Sequence, residues 1–147
     1  MSAGRLSIVL HTHMPYVEGF GTWPFGEEWL FEAMATSYLP LLEILDARGG
    51  PAGRAPITLS MTPVLADQLA APGLAARFET FLRELRPASH GLDIVAAEDR
   101  AVAAELERAA GDYAGAAERH DALGPGGLLG ALAPHAAWTS SATHAVL

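Results

Sequence analysis

The chain has 147 residues, no cysteine and a formal net charge of −8 at pH 7, and half of its residues are hydrophobic. This length and hydrophobicity suffice for one folded domain with a sizeable core and exclude a disordered chain. The lack of cysteine excludes disulfides and thiolate metal sites, and the acidic balance without a basic patch argues against nucleic acid and anionic membranes as partners.

The first half of the chain predicts a strand, a loop, a helix and a second strand. Residues 5–10 are apolar and β-branched, which is typical of a buried parallel strand. A loop rich in glycine and aromatic residues spans residues 18–26. Residues 27–45 carry apolar side chains at helical spacing, and we expect a kink or break at Pro40. Residues 56–61 repeat the strand composition.

The second half of the chain predicts mostly helices. Residues 64–85 are helical in pattern with an interruption at Pro72, and a loop is expected at residues 87–91. Residues 96–120 are rich in alanine and carry apolar side chains at helical spacing, so they predict a long helix. Strands that alternate with helices indicate an α/β fold with a parallel sheet.

Only two or three strands are visible, which is too few to close a barrel. We therefore expect residues 1–147 to form one partial domain, truncated before its remaining strands. The apolar stretch near the start is five residues long and is followed by histidines, so we predict neither a signal peptide nor a membrane span. A cytoplasmic protein is the resulting expectation.

His11 and His13 are the residues with the clearest chemical potential. In an extended segment, residues i and i+2 point to the same face. The end of a first strand is also where α/β barrels build active sites. The pattern alone leaves three roles open, which are hydrogen bonding to sugar hydroxyls, ligation of zinc and satisfaction of buried backbone groups.

Aromatic side chains follow the two histidines. Trp23 lies in the predicted loop, where it could stack on the apolar face of a sugar ring or pack as part of the core. Trp29 stands at a helix start, and we favour simple packing for it. Three further histidines lie beside predicted loops or helix ends and are expected at the surface; they are His90, His120 and His135.

The acidic residues nearest the histidines do not form a convincing catalytic pair. Glycoside cleavage with retention needs two carboxyl groups about 5–5.5 Å apart across one bond. Glu27 and Glu28 are adjacent on a helix, so they point in different directions, and first-turn charges of this kind stabilise the helix dipole. Glu18 and Glu32 are the other candidates.

Three segments together resemble a known family. LSIVLHTHMPYV, followed by EEWLFEAMATSYLPLLEIL, resembles the first signature of the branching enzymes in glycoside hydrolase family 57. LSMTPVLADQL resembles the next strand of that family with its Thr-Pro turn, and WTSSATHAVL resembles the second signature, with His144 matching its histidine. An acidic residue normally precedes the last stretch, but this chain has Ala136 and Ala137.

The resemblance implies the N-terminal part of an incomplete (β/α)7 TIM-like barrel that acts without a metal or another cofactor. A glutamate nucleophile and an aspartate acid/base would transfer an α-1,4-glucan segment to a 6-hydroxyl with retention. Both carboxylates belong to signatures beyond Leu147, so no catalytic residue is expected in this chain and it should be inactive alone. The implied α-glucan-binding residues are His11, His13, Trp23 and His144.

The sequence leaves two other functions open. A metal-dependent barrel hydrolase also opens with His-x-His after its first strand, although such sites often add a bridging lysine and this chain contains none. A non-catalytic glucan-binding module is the second alternative. It would be distinguished by a chain that folds and retains polysaccharide without cleaving it.

Overall fold

The computed structural model describes residues 8–21, 26–48 and 57–141, and within these ranges the chain forms one parallel sheet with helices. The strands are β1 (Ile8–Thr12), β2 (Ile57–Met61) and β3 (Ala136–Thr139), and their order in the sheet is their order in the chain. The predicted α/β fold with a parallel sheet is thus confirmed.

Helical segments connect each strand to the next. They are α1 (Glu28–Ala33), α2 (Leu39–Ala47), α3 (Pro63–Leu69), α4 (Leu74–Thr80), α5 (Arg86–Ala96), α6 (Arg100–Asp121) and α7 (Gly127–Leu132). Within the described ranges, none of the helices combines the length and the hydrophobicity needed to cross a bilayer.

The helices pack against one face of the sheet. Leu59 and Met61 of β2 point into the core, and Leu10 and Ala136 pack against the same core from the flanking strands. The other face carries Val9, which remains 44% exposed. The expectation of a buried strand is therefore wrong for the described part of β1, because no described helix covers its second face. Residues 5–7 lie outside the described residues.

Three phenylalanine rings form the centre of the helical layer. Phe31 of α1 lies 5.7 Å from Phe78 and 5.3 Å from Phe81, measured between ring centroids. All three side chains are almost completely buried. Burial of aromatic side chains of this size contributes strongly to stability, so this cluster fixes α1 against α4 and the turn that follows it.

Two wide helical turns replace the breaks that the sequence predicts at proline. Residues Met34–Tyr38 and Phe81–Leu85 are π-helical, so Leu39 N donates to Met34 O and Arg86 N donates to Phe81 O, each five residues back. Each turn ends two residues before a proline, Pro40 or Pro87. The loop predicted at residues 87–91 is wrong, because the wide turn accommodates the proline ring and α5 continues through Gly91.

Two boundaries also differ from those predicted. β1 continues to Thr12, so His11 belongs to the strand. The long helix begins at Arg100 instead of Ala96, because the side chain of Asp99 accepts a hydrogen bond from Ala101 N at 2.7 Å and caps the helix. Asp99 followed by an alanine-rich segment is a recognisable start signal in the sequence.

The three histidines expected at the surface all pack against the protein. His90 is 8% exposed, and its ring lies edge-on to Tyr113 with the centroids 5.3 Å apart. His120 lies edge-on to Phe78 at 5.1 Å. The side chain of His135 is 4% exposed, and its Nε2 lies 3.1 Å from an oxygen of Asp46. His90 lies within α5 and His120 within α6, so the packing of these helices covers both rings, and Asp46 covers His135.

Candidate functional site

Polar and aromatic residues from all three strands pair with one another at one level of the sheet. His11 of β1 pairs in register with Ser60 of β2, and Ser60 pairs with Trp138 of β3. The side chains of His11 and Ser60 lie on the same side of the sheet, because they are in contact. The register between β2 and β3 shifts between Leu59 and Ser60, and this irregularity brings Trp138 into the same row of paired positions. Trp138 is 57% exposed and His11 is exposed. The row lies near the C-terminal end of the sheet.

His11 and His13 stand side by side at the end of β1. Their ring centroids are 6.4 Å apart and the ring planes differ by 11°, which matches the common face that the sequence predicts. Both residues are exposed, whereas the alternate residues Thr12 and Met14 are buried toward the helices. The pair therefore presents two imidazoles to whatever molecule occupies this side of the sheet.

Ser60 holds the first of these rings. His11 Nδ1 lies 3.1 Å from Ser60 Oγ, and the backbone carbonyl of Ser60 accepts a hydrogen bond of 3.0 Å from Thr12 Oγ1. A serine hydroxyl can donate or accept, so the contact suits either tautomer of His11. In both cases Nδ1 is engaged and Nε2 is directed away from Ser60.

The segment that follows His13 is held by Gln68, a residue of α3 that is 0% exposed. Gln68 Oε1 accepts hydrogen bonds from Val17 N at 2.7 Å and Glu18 N at 3.2 Å, and Gln68 Nε2 donates to Pro15 O at 3.0 Å. Sequence reasoning missed Gln68. Its position three residues after Leu65, on the same face of α3, is a signal that could have indicated its burial.

A partly buried ion pair joins α4 to the start of α1. The carboxylate of Glu27 is 7% exposed and accepts hydrogen bonds from Arg77 Nε at 3.1 and 3.0 Å and from its terminal nitrogen at 2.7 Å. Arg77 also lies 3.5 Å from Glu18 and donates to Pro72 O. The hydrogen bonds to Glu27 raise the pKa of the Arg77 guanidinium.

A second charged cluster lies between α1, α5 and α6. Arg86 contacts the carboxylates of Glu28 and Glu32, and its guanidinium carbon lies 5.2 Å from the ring centre of Tyr113. The hydroxyl of Tyr113 donates a hydrogen bond to the carboxylate of Glu32. Burial, and then the charge of Arg86, lowers the pKa of the neighbouring His90. This cluster holds the helices together and lies on their side of the sheet.

The four glutamates that follow the histidine pair most closely in the sequence each contact an arginine. Glu18 and Glu27 contact Arg77, and Glu28 and Glu32 contact Arg86. Over residues 8–21, 26–48 and 57–141, no group of three His, Cys, Asp or Glu side chains is arranged to hold a metal ion. Trp23 and His144 lie outside the described residues.

Known proteins that resemble this chain carry the name of one class of enzyme. No protein-family profile matches the chain. The 1,4-alpha-glucan branching enzyme of Thermococcus kodakarensis is 40% identical over 100 residues, which are 67% of this chain and 15% of that protein. A probable 1,4-alpha-glucan branching enzyme of Mycobacterium tuberculosis is 48% identical over 69 residues, which are 47% of this chain and 13% of that protein.

Two crystal structures have the same fold along almost the whole chain. The GH57-type branching enzyme of Pyrococcus horikoshii superposes with a TM-score of 0.74 and 36% identity, covering 94% of this chain. The chain is thus similar, in sequence and in fold, to one part of the GH57 branching enzymes. The T. kodakaraensis GH57 branching enzyme, solved in complex with glucose and additives, gives a TM-score of 0.73 and 33% identity over 96% of this chain.

Similarity to proteins named as GH57 branching enzymes confirms the resemblance that the sequence signatures indicate. The chain spans 26% of each of the two crystal structures and a smaller share of the curated relatives. This similarity does not by itself assign a role to any individual residue. The substrate-binding roles of His11, His13, Trp23 and His144 therefore stay predictions.

Proposed function

We propose that this chain is part of a 1,4-α-glucan branching enzyme and that its histidine pair binds the glucan. The observation that carries the proposal is the match, in sequence and in fold, to proteins named as branching enzymes. The crystal structure of one of them contains glucose. The reaction is the transfer of an α-1,4-glucan segment to a 6-hydroxyl with retention of configuration.

We further propose that residues 1–147 form the first part of an incomplete (β/α)7 barrel. Three parallel strands in chain order, with helices on one face, support this arrangement because a barrel wall is built in the same way. The face that carries His11 and His13 then becomes the interior of the barrel. Both histidines lie at the C-terminal end of their strand, where barrel enzymes bind substrate.

The geometry of the pair suits a neutral polyhydroxyl ligand. A ring nitrogen of histidine can donate to or accept from a sugar hydroxyl, so two parallel imidazoles can bind neighbouring hydroxyls of one glucosyl unit. His11 Nδ1 is already engaged by Ser60, which fixes the ring and leaves Nε2 for the sugar. Trp23 and His144 are the further glucan-binding residues of the proposal.

The catalytic carboxylates are proposed to come from parts of the enzyme that this chain does not span. Retaining chemistry needs a nucleophile and an acid/base on opposite sides of one bond. Glu18, Glu27, Glu28 and Glu32 are each paired with arginine, and such pairing supports a structural role for them. The histidines can orient the glucan, but they do not supply the covalent glycosyl intermediate.

Binding of maltohexaose to the purified chain tests the proposal. We expect maltohexaose to shift the imidazole NMR signals of His11 and His13, and His11→Ala and His13→Ala to weaken binding. His135→Asn is the control, because His135 precedes β3 and its ring contacts Asp46. Equal affinity in all four chains would remove the histidine pair from the binding site.

Incubation with amylose tests the absence of catalytic groups. We expect neither new reducing ends nor new α-1,6 linkages above a chain that carries both alanine substitutions. Turnover above that level would show that the catalytic carboxylates lie within residues 1–147. Glu18, Glu27, Glu28 and Glu32 would then be the first positions to substitute.

A further inference from the structure

Gln68 is a buried amide whose hydrogen bonds all go to the segment after His13. Its side chain is 0% exposed, and each of its two polar atoms is used: the oxygen accepts from Val17 N and Glu18 N, and the nitrogen donates to Pro15 O. A buried glutamine is stable only when such groups are satisfied. The three backbone groups in turn have no regular secondary structure to satisfy them, since residues 13–17 are neither helix nor strand.

The helix that carries Gln68 is anchored at the end of β2. Thr62, which is 2% exposed, directly follows β2 and caps α3 through a hydrogen bond of 3.2 Å from Leu65 N to its hydroxyl. Pro63 then occupies the first helical position. The position of Gln68 is thereby fixed relative to Ser60, two residues before the cap, which holds His11.

We propose that Gln68 is a positioning residue for His13, and that Ser60 is the corresponding positioning residue for His11. The significance of these contacts for a glucan rests on the proposed function, but the contacts themselves do not. Each imidazole then has its own support from the β2–α3 unit. Ser60 acts directly on the His11 ring, whereas Gln68 acts through the backbone from Pro15 to Glu18.

Two substitutions of Gln68 distinguish the effect of its hydrogen bonds from that of its side-chain volume. Gln68→Leu keeps the approximate volume and removes all three hydrogen bonds. Gln68→Glu changes with pH: the protonated carboxyl has one acceptor oxygen and one O–H donor, so it reproduces the amide pattern, whereas the carboxylate has no donor for Pro15 O. Burial favours the protonated form of the introduced acid. The glutamate variant should therefore resemble the unsubstituted chain at low pH and differ from it at high pH.

The imidazole signals of the full chain in NMR test the proposal without any sugar. We expect Gln68→Leu to move the His13 signal more than the His11 signal, and Ser60→Ala to do the reverse. In Gln68→Glu, the His13 difference from the unsubstituted chain at the same pH should grow as the pH rises from about 5 to 8. Comparison at equal pH removes the effect of titration of the histidines themselves.

Binding of maltohexaose links the positioning to the proposed function. We expect Gln68→Leu to weaken binding about tenfold, the equivalent of one hydrogen bond, and Gln68→Glu to restore it at low pH. A His13 signal unchanged in Gln68→Leu, or a glutamate variant that differs equally at every pH, would overturn the proposal. If Gln68→Leu shifts the His13 signal but the unsubstituted chain does not bind maltohexaose, the positioning role is supported and the proposed glucan site is refuted.

Discussion

Replacing Arg77 by methionine removes the cation from a carboxylate that is almost completely buried. Glu27 is 7% exposed at its side chain and Arg77 is 37% exposed, and three N–H···O contacts of 2.7–3.1 Å join them. Loss of one partner costs about 3–5 kcal/mol in a fully buried pair, whereas an exposed pair contributes about 0–1 kcal/mol. Since water reaches Arg77 but hardly reaches Glu27, we expect an intermediate loss of about 2–3 kcal/mol.

Urea unfolding at pH 7 measures this loss. Arg108→Met is the matched control, because Arg108 pairs with Glu105 at side-chain exposures of 70% and 66%. We expect the control to change the free energy of unfolding by less than about 1 kcal/mol. Adding Glu27→Gln to Arg77→Met should recover part of the stability, because an amide needs no cation. An Arg77→Met chain no less stable than Arg108→Met would refute the reasoning.

Three further predictions concern a glycine, a buried histidine and an exposed tryptophan. Thermal unfolding should show that Gly26→Ala lowers the free energy of unfolding by about 2 kcal/mol or more, because its Cβ would lie 1.8 Å from Gly21 O. Gly111→Ala in α6, whose Cβ would have nothing within 4 Å, should raise it by about 0.5–1 kcal/mol. Burial and then the charge of Arg86 lower the pKa of His90, so the unfolded chain binds the proton more readily than the folded chain. The free energy of unfolding should therefore fall as the pH drops below about 6.5. His90→Gln should make this pH dependence less steep, and an unchanged slope would contradict the prediction. Trp138→Ser should reduce the binding of a hydrophobic fluorescent dye and the self-association measured by light scattering, since Trp138 of β3 is 57% exposed. Unchanged self-association would show that another apolar surface drives it.

The fold could be predicted from the sequence where local signals agree with one another. Residues 56–61 are β-branched and apolar, Thr62 and Pro63 stop the strand and start a helix, and β2 and α3 meet there. The common face of His11 and His13 follows from the two-residue period of an extended chain. These features depend on neighbouring residues alone, so no long-range contact was needed to predict them.

The parts that escaped prediction depend on contacts between distant residues. Gln68 meets Val17 across 51 positions of sequence, and the pattern of α3 alone does not show which backbone groups it satisfies. His90 was expected at the surface because it lies beside a predicted loop, yet Tyr113 of α6 packs against it. Helix propensity does not reveal which face of a helix a second helix will cover.

The two π-helical turns have a consequence for the direction of side chains. A wide turn holds one residue more than the α-helix needs, so it offsets the residues on either side by about 100° around the axis. The segment before the first turn buries Leu30 and Phe31, and the segment after it buries Leu42 and Leu45. One continuous rod can thus direct apolar side chains toward two different neighbours, and deletion of one residue between Met34 and Tyr38 would rotate one set out of the core.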